Sequence, residues 1–331
     1  MNPHIDIIAT TISGSIKDWG KVKRIVPLFN EHGLTDINLC TVDSHAEARR
    51  KTAELMTAGG SIIISAGGSG TFNAVMEGCF DSGRNLKDIR IGFLRKGSAD
   101  LIGKTLGMPD EIEAAIDVFV RAIRQDKVVP CDVLLASDVG GETKPRRFVG
   151  YGGAEIFGRI PHFTENRFIK YYKGVLSLLF GDLGPFFVGT SVATTDKLIR
   201  TLGRKKRQWQ ITVDGREVAL DRFHAIIIVN GYLGPDMPFA RGEALGSGKF
   251  YVFTIADLGA FRLVRQLKHA WDASIMNNPE KWGFGSFTVG EKLLLQPLEG
   301  GEFPLNTDGS TTICHGGVEV TICDQVYLLS S

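Results

Sequence analysis

The chain has 331 residues, is 43% hydrophobic and 23% charged, and carries a net charge of +1. That length suits two domains of about 100–200 residues each with sizeable cores, and that charge excludes a global field directed at nucleic acid. Five scattered cysteines (Cys40, Cys79, Cys131, Cys314 and Cys323) without a CxxC pair exclude a disulfide framework and a spaced zinc site, and predict a reducing compartment. Residues 1–11 lack the basic flank and long apolar run of a signal peptide, and no stretch of about 18 or more apolar residues occurs, so a cytoplasmic protein is expected.

Residues 5–10 read as a short buried strand. Residues 17–31 carry Val22, Ile25, Val26 and Phe29 at helical spacing, ended by His32-Gly33. Residues 36–42 read as a second strand. Ser44, with Glu47 three residues on, predicts the start of a helix that runs to about Ala58. Strands follow over 61–65 and 89–93. An amphipathic helix over 110–124 presents Ile112, Ile116, Phe119, Val120 and Ile123 on one face. This alternation implies a parallel sheet with helices on both faces.

After about Val129 strands dominate: 210–213, 223–229, 249–255, 292–296, 318–322 and 326–329, with Asp214-Gly215 as a hairpin turn. The expected fold class is therefore α/β plus all-β. An N-terminal parallel-sheet αβα domain over 1–129 precedes an antiparallel β-sandwich or open barrel over 130–331, whose last strands can return toward the first domain. Residues 163–180 predict a helical insertion, and a cleft between the halves is the expected place for a ligand.

The strongest chemical signal is Ser65-Ala66-Gly67-Gly68-Ser69-Gly70-Thr71-Phe72-Asn73, between a buried strand and a helix. Glycine lets backbone amides approach a phosphate without a Cβ clash, and the helix N-terminus adds free N–H groups and a positive dipole end. Thr71 is placed to cap the helix or to donate to a phosphate. A plain tight turn would need fewer glycines. The segment is neither a Walker loop nor a Rossmann GxGxxG. A second junction, Arg95-Lys96-Gly97-Ser98-Ala99-Asp100, offers two cations and a hydroxyl, and residues 10–14 form a third loop after the first strand. Ligands collect at such carboxyl ends of parallel strands.

Other features carry bland readings. Asp308-Gly309 is a common turn pair. His224 and His315 lack metal spacing. Lys170 and Lys173 with Phe168, Tyr171, Tyr172, Val175, Leu176 and Leu179 form a basic amphipathic segment. It packs on its own core, lies on an anionic membrane or shapes a lipid tunnel. Arg204-Lys205-Lys206-Arg207 is a solvated loop or a headgroup contact.

Together the loops resemble the diacylglycerol kinase catalytic family, which includes bacterial lipid kinases and sphingosine and ceramide kinases. The family's GGDGTxNEVxNG is similar to residues 67–78, its PLGTGNDFARxLGIP to residues 94–109, and its NPxSG to Thr10-Thr11-Ile12-Ser13-Gly14. Its linker strand and GxG segment resemble Cys131-Asp132-Val133 and residues 150–154. Its NG…G segment resembles residues 230–234, and its late DGE resembles Asp308-Gly309-Ser310.

The resemblance implies a nucleotide-binding domain related to NAD kinases and phosphofructokinases, a β-rich acceptor domain, and transfer of the ATP γ-phosphate to a lipid hydroxyl with Mg²⁺. It implies nucleotide contacts from Thr10, Ser13, Gly14, Gly67, Gly68, Ser69, Gly70, Thr71, Asn73, Lys96, Gly97, Ser98, Ala99 and Asp100. Asp308 falls where the family has its general base. Departures from the pattern are Ser69 for aspartate, Ala74 for glutamate, Asp100-Leu101 for Asn-Asp, Gly246-Ser247-Gly248 for an acidic turn, and Ser310 for glutamate. A phosphate-bridging metal needs oxygen ligands that usually include carboxylates, so no metal ligand is assigned.

The expected function is an ATP-dependent kinase of a lipid or lipid-like hydroxyl. The alternatives are a nucleotide- or lipid-binding homologue without transfer, and a kinase of a soluble metabolite. Expected partners are a nucleotide and a lipid-like acceptor, not nucleic acid. Peripheral contact with an anionic membrane at the inner surface, and a homodimer, stay open.

Overall fold

The computed structural model describes residues 2–10, 16–95, 101–159, 207–235, 237–259, 262, 265–266, 269 and 274–331. The expected helix over 163–180, with Lys170 and Lys173, and the cations Arg204, Lys205 and Lys206 lie outside the described residues. The chain divides into two compact units, Met1–Cys131 with Asp324–Ser331, and Asp132–Cys323. Among the described residues no helix is long and apolar enough to cross a membrane.

The first unit is built on strands β1 (Ile5–Thr10), β2 (Ile37–Val42), β3 (Ile62–Gly67) and β4 (Arg90–Arg95). Every residue of β1 is buried, as a strand covered on both faces requires. β1 pairs in parallel with β2 and β3, and β3 with β4. The last residues of a long strand, β16 (Val318–Leu329), add a fifth parallel partner through Tyr327 opposite Arg90. Helices α1 (Ile16–Glu31) and α5 (Ile112–Gln125) pack on each other, as do α2 (His45–Thr57) and α3 (Ser69–Asp81); α4 (Leu101–Thr105) is a short turn between them in sequence. The Ser44 hydroxyl accepts the Glu47 N–H at 3.1 Å, and the Glu47 carboxylate accepts the Asp43 N–H at 3.1 Å, so α2 starts where its capping residues predict. The sheet order β2-β1-β3-β4 reverses direction between β1 and β3. That is the topological switch point, where loops diverge and leave a crevice at the carboxyl ends.

In the second unit, β5 (Val128–Asp138) leads in and pairs with β6 (Arg146–Phe148). Strands β7 (Tyr151–Glu155), β10 (Phe223–Val229), β11 (Phe250–Ala256), β12 (Phe284–Val289), β14 (Glu302–Thr307) and β15 (Ser310–His315) form an antiparallel sheet in the order β12-β11-β10-β7-β14-β15. Helix α6 (Pro279–Trp282) precedes β12. The other sheet runs from the start of β16 through β13 (Lys292–Pro297) and β8 (Trp209–Val213) to β9 (Arg216–Asp221). Leu134, Phe148, Trp209, Ile211 and Leu293 meet Ala154, Ile226, Phe250, Val252 and Phe303 in one core between the sheets. Asp214 and Gly215 have φ of 49° and 80°, the left-handed pair that a tight β8–β9 hairpin needs.

Two expectations need correction. The strands expected over 318–322 and 326–329 are one strand, β16. Its polar centre, Cys323 and Asp324, is exposed because it falls between two partners: residues up to Thr321 pair antiparallel with β13, and Tyr327 onward with β4. The strand expected to stop at Ser65 runs on to Gly67, since parallel pairing with β4 continues through Gly67 opposite Arg95.

Candidate functional site

Three strand ends of the first unit carry the glycine-rich junctions. Thr10 closes β1, Gly67 closes β3 and Arg95 closes β4. The buried Thr10 and Thr71 hydroxyls lie 2.7 Å apart and share a hydrogen bond. Gly67 sits between them. A Cβ there would stand 2.7 Å from Thr71 Cβ and 2.9 Å from Thr10 Oγ1, and would strike Thr71 Oγ1. The glycine is therefore dictated by the two threonines that close over it.

Helix α3 begins at N-cap Gly68, which offers no side-chain cap. An α-helix leaves its first N–H groups without intrahelical acceptors, so this end can receive an anion at its positive dipole end. Thr71 does not cap the helix: it lies inside the first turn, and its hydroxyl is committed to Thr10. Ser69, which stands where the family pattern has aspartate, is exposed. Asn73 sits one turn along α3, its Oδ1 buried without a hydrogen-bond partner among the described residues. Phe72 stacks on Phe93 with ring centroids 4.6 Å apart, which fixes the first turn of α3 against β4.

Of the expected nucleotide contacts, Thr10, Gly67, Gly68, Ser69, Gly70, Thr71 and Asn73 come together here. Ser13, Gly14, Lys96, Gly97, Ser98, Ala99 and Asp100 lie outside the described residues. Sequence reasoning passed over one side chain at this place, and read a second, Arg95, as a cation able to neutralise phosphate charge without foreseeing its burial. The His45 ring covers Gly70, close enough that a Cβ would meet Cε1 at 2.7 Å; nothing in the local pattern around Ser44 signals that contact. Arg95, the last residue of β4, was legible as a cation at a strand end but not as a buried one.

The Asp308 site belongs to the second unit. Asp308 and Gly309 form the β14–β15 hairpin turn, with φ of 45° and 82°. The turn reading is thus correct, yet the carboxylate is buried. Oδ2 accepts the Val149 N–H at 2.9 Å, and Oδ1 accepts those of Gly150 at 3.0 Å and Tyr151 at 2.9 Å. Burial pushes the carboxyl up to about 6, against the opposing pull of these three N–H donors. Asn230 holds the same segment from its carbonyl side: Nδ2 donates to Val149 O at 2.9 Å and to Asp132 O at 2.6 Å. The turn at Gly246-Ser247-Gly248 closes through the Gly248 N–H on Asp132 Oδ2 at 2.7 Å. Hydrogen bonds thereby link the segments at residues 132, 149–151, 230, 248 and 308.

Among the described residues no group of three or more His, Cys, Asp or Glu side chains is arranged to hold a metal ion. Ser69 and Ser310 offer hydroxyls where the family pattern has carboxylates, and Asp100 lies outside the described residues.

Residues 4–134 match the profile of the diacylglycerol kinase catalytic domain. Among solved structures, a candidate diacylglycerol kinase from Bacillus anthracis superposes with a TM-score of 0.69 at 17% identity, over 99% of this chain and 95% of that one. A diacylglycerol kinase structure from the same organism gives a TM-score of 0.63 at 15% identity, over 100% and 97%. At such identity the likeness shows the fold. An uncharacterized protein of Synechocystis sp. is 31% identical over 141 residues, 39% of this chain and 30% of that protein. The chain thus matches under a third of that relative's length. The resemblance carried by the glycine-rich segments is shown over residues 4–134, and the α/β plus β fold over the chain.

Proposed function

We propose that this chain, whose residues 4–134 match a diacylglycerol kinase catalytic domain, transfers the γ-phosphoryl group of ATP to the hydroxyl of a lipid or lipid-like acceptor. The observation that supports this reading best is the uncapped start of α3, at the β1/β3 switch point, with Gly67 enclosed by the Thr10–Thr71 bond. Phosphoryl transfer depends mainly on positioning and on neutralising charge. The α3 N–H groups would orient the tail. Gly97, Ser98, Ala99 and Asp100 would complete the loop, and Lys96 would add positive charge. Asp308, with a carboxyl pushed up to about 6, would accept the acceptor's hydroxyl proton as its oxygen bonds to phosphorus and the bond to the ADP oxygen breaks.

The test is incubation with γ-labelled ATP and a panel of diacylglycerol, sphingoid and ceramide acceptors, followed by organic extraction. Label in the organic phase is expected. ATP binding without transfer to any acceptor would leave the second reading, a nucleotide- or lipid-binding homologue, which Ser69 and Ser310 favour. Label confined to the aqueous phase on a small acceptor would point to a soluble metabolite.

A further inference from the structure

Arg95 is a buried cation that the site reading leaves unexplained. Its side chain is 4% exposed. Cγ and Cδ press against Gly103, where no Cβ would fit. Nη1 donates to Met108 O at 2.9 Å. Nη2 lies 3.0 Å from Asp110 Oδ1 but without hydrogen-bond alignment, and Nε has no hydrogen-bond acceptor among the described residues. Asp110 is 59% exposed, so its charge is screened by water and offsets little of the guanidinium's. A buried charged donor left unfilled is costly and calls for an account.

Its place supplies one. Arg95 stands directly opposite Gly67 in the β3–β4 register, and strand neighbours lie about 4.8 Å apart. Arg95 lines a cavity of about 30 Å³ with Lys21, Ala66 and Asp110. At roughly 10–15 Å³ per water-sized atom, that space admits two or three atoms and no more. It is too small for a nucleoside, and its polar groups, Lys21, Arg95 and Asp110, stand among the apolar Val22, Ile25, Leu94 and Ile112. It lies beside Ala66, one residue before Gly67. Two cations therefore border a small space beside the last residues of β3 and β4, in a unit whose described residues offer no carboxylate set for a metal.

We propose that Arg95 contacts the phosphate tail of the bound nucleotide and supplies fixed positive charge where carboxylate-held metal would otherwise neutralise it, so that nucleotide binding persists without divalent cation. This rests on the glycine-loop reading of the nucleotide site. A guanidinium suits the task because its fork of donors matches phosphate oxygens and its charge is permanent.

The experiment is calorimetric titration of the full chain with ADP, in Mg²⁺ and in EDTA, on wild type, Arg95→Gln, Arg95→Lys and Asp110→Asn, with a thermal melt of each. Wild type is expected to bind in EDTA within about threefold of its affinity in Mg²⁺. Arg95→Gln should lose roughly tenfold or more in both buffers, and Arg95→Lys should recover part of the loss. Asp110→Asn should bind at least as tightly as wild type, since a competing anion is gone. If EDTA abolishes wild-type binding, or if Arg95→Gln and Arg95→Lys bind like wild type, the Arg95 inference is wrong and the loop reading survives. If wild type binds no nucleotide in either buffer, the site reading fails and this proposal with it. Should Arg95→Gln not fold, the EDTA comparison and the Arg95→Lys and Asp110→Asn arms still decide.

Discussion

Asp308 and Tyr151 are joined by two hydrogen bonds of opposite sense: the Asp308 N–H donates to Tyr151 O at 2.8 Å, and the Tyr151 N–H donates to Asp308 Oδ1 at 2.9 Å. The turn residue thus clamps the start of β7, and its carboxylate also takes the N–H groups of Val149 and Gly150. Asp308→Ala would leave three N–H groups without their acceptor, at about 1–3 kcal/mol for each that stays buried. The expected outcome is a loss of several kcal/mol in urea denaturation, together with loss of transfer. Asp308→Asn keeps one acceptor oxygen but turns an amide N–H toward backbone donors. It should be destabilised less, and should still lose transfer while binding ADP. An Asp308→Asn protein with undiminished turnover would remove this carboxylate from the proposed chemistry and leave it as a clamp.

The same carboxyl gives the fold a pH signature. Its pKa is raised from 3.8 to about 6, chiefly by burial. A raised folded-state value means the neutral form is favoured by folding. The associated stability is therefore fully present below about pH 4 and is lost as pH rises through about 6. The gap corresponds to about 3 kcal/mol as an upper figure. Urea midpoints measured at about pH 4, 5, 6 and 7 should fall for wild type relative to Asp308→Asn, which lacks this titration. Parallel curves for the two proteins would show that the three N–H donors hold the carboxyl near its ordinary value.

The alternating half of the fold was legible because its signals are local. The apolar spacing of Val22, Ile25 and Phe29 and the Ser44–Glu47 cap depend only on neighbours in sequence. The glycine loop was legible for the same reason. What Thr71 bonds to was not, because Thr10 lies 61 residues away. Strands β14 and β15 were missed because they read as polar or interrupted runs: Pro304, Asn306 and Thr307 in one, Thr311 and Thr312 in the other. Their pairing comes from hairpin closure at Asp308-Gly309 and from contact with β7. The burial of Arg95 was invisible because it depends on Gly103, Met108 and Asp110 folding back over a strand end.

Gly67→Ala should damage the site more than its single methyl suggests. The added Cβ meets Thr71 Cβ at 2.7 Å and Thr10 Oγ1 at 2.9 Å, separations that real Cβ atoms do not show. Either the Thr10–Thr71 bond opens or β3 shifts against α3. Over-packing of this kind costs about 1–3 kcal/mol. The expected result is a lower melting temperature and a loss of ADP affinity of roughly tenfold or more, since displaced amides no longer converge. Thr71→Val, which removes the hydroxyl and keeps the volume, separates the two effects: it should lower stability by about 1 kcal/mol with a smaller effect on affinity. If Gly67→Ala binds ADP as wild type does, the loop does not hold the tail.

Gly20 supplies the opposite case and an internal control. It lies inside α1, its φ is not in the left-handed region, and a Cβ there would meet nothing within 4 Å. Glycine in a helix interior loses more backbone freedom on folding than alanine does. Gly20→Ala should therefore raise stability by about 0.5–1 kcal/mol in urea denaturation, with ADP affinity and transfer unchanged. The comparison with Gly67→Ala is the informative part: the same substitution acts through the unfolded chain at one glycine and through a steric clash at the other. A Gly20→Ala protein that lost stability would show that α1 does not present this position to open space, and would undermine the packing of α1 on α5.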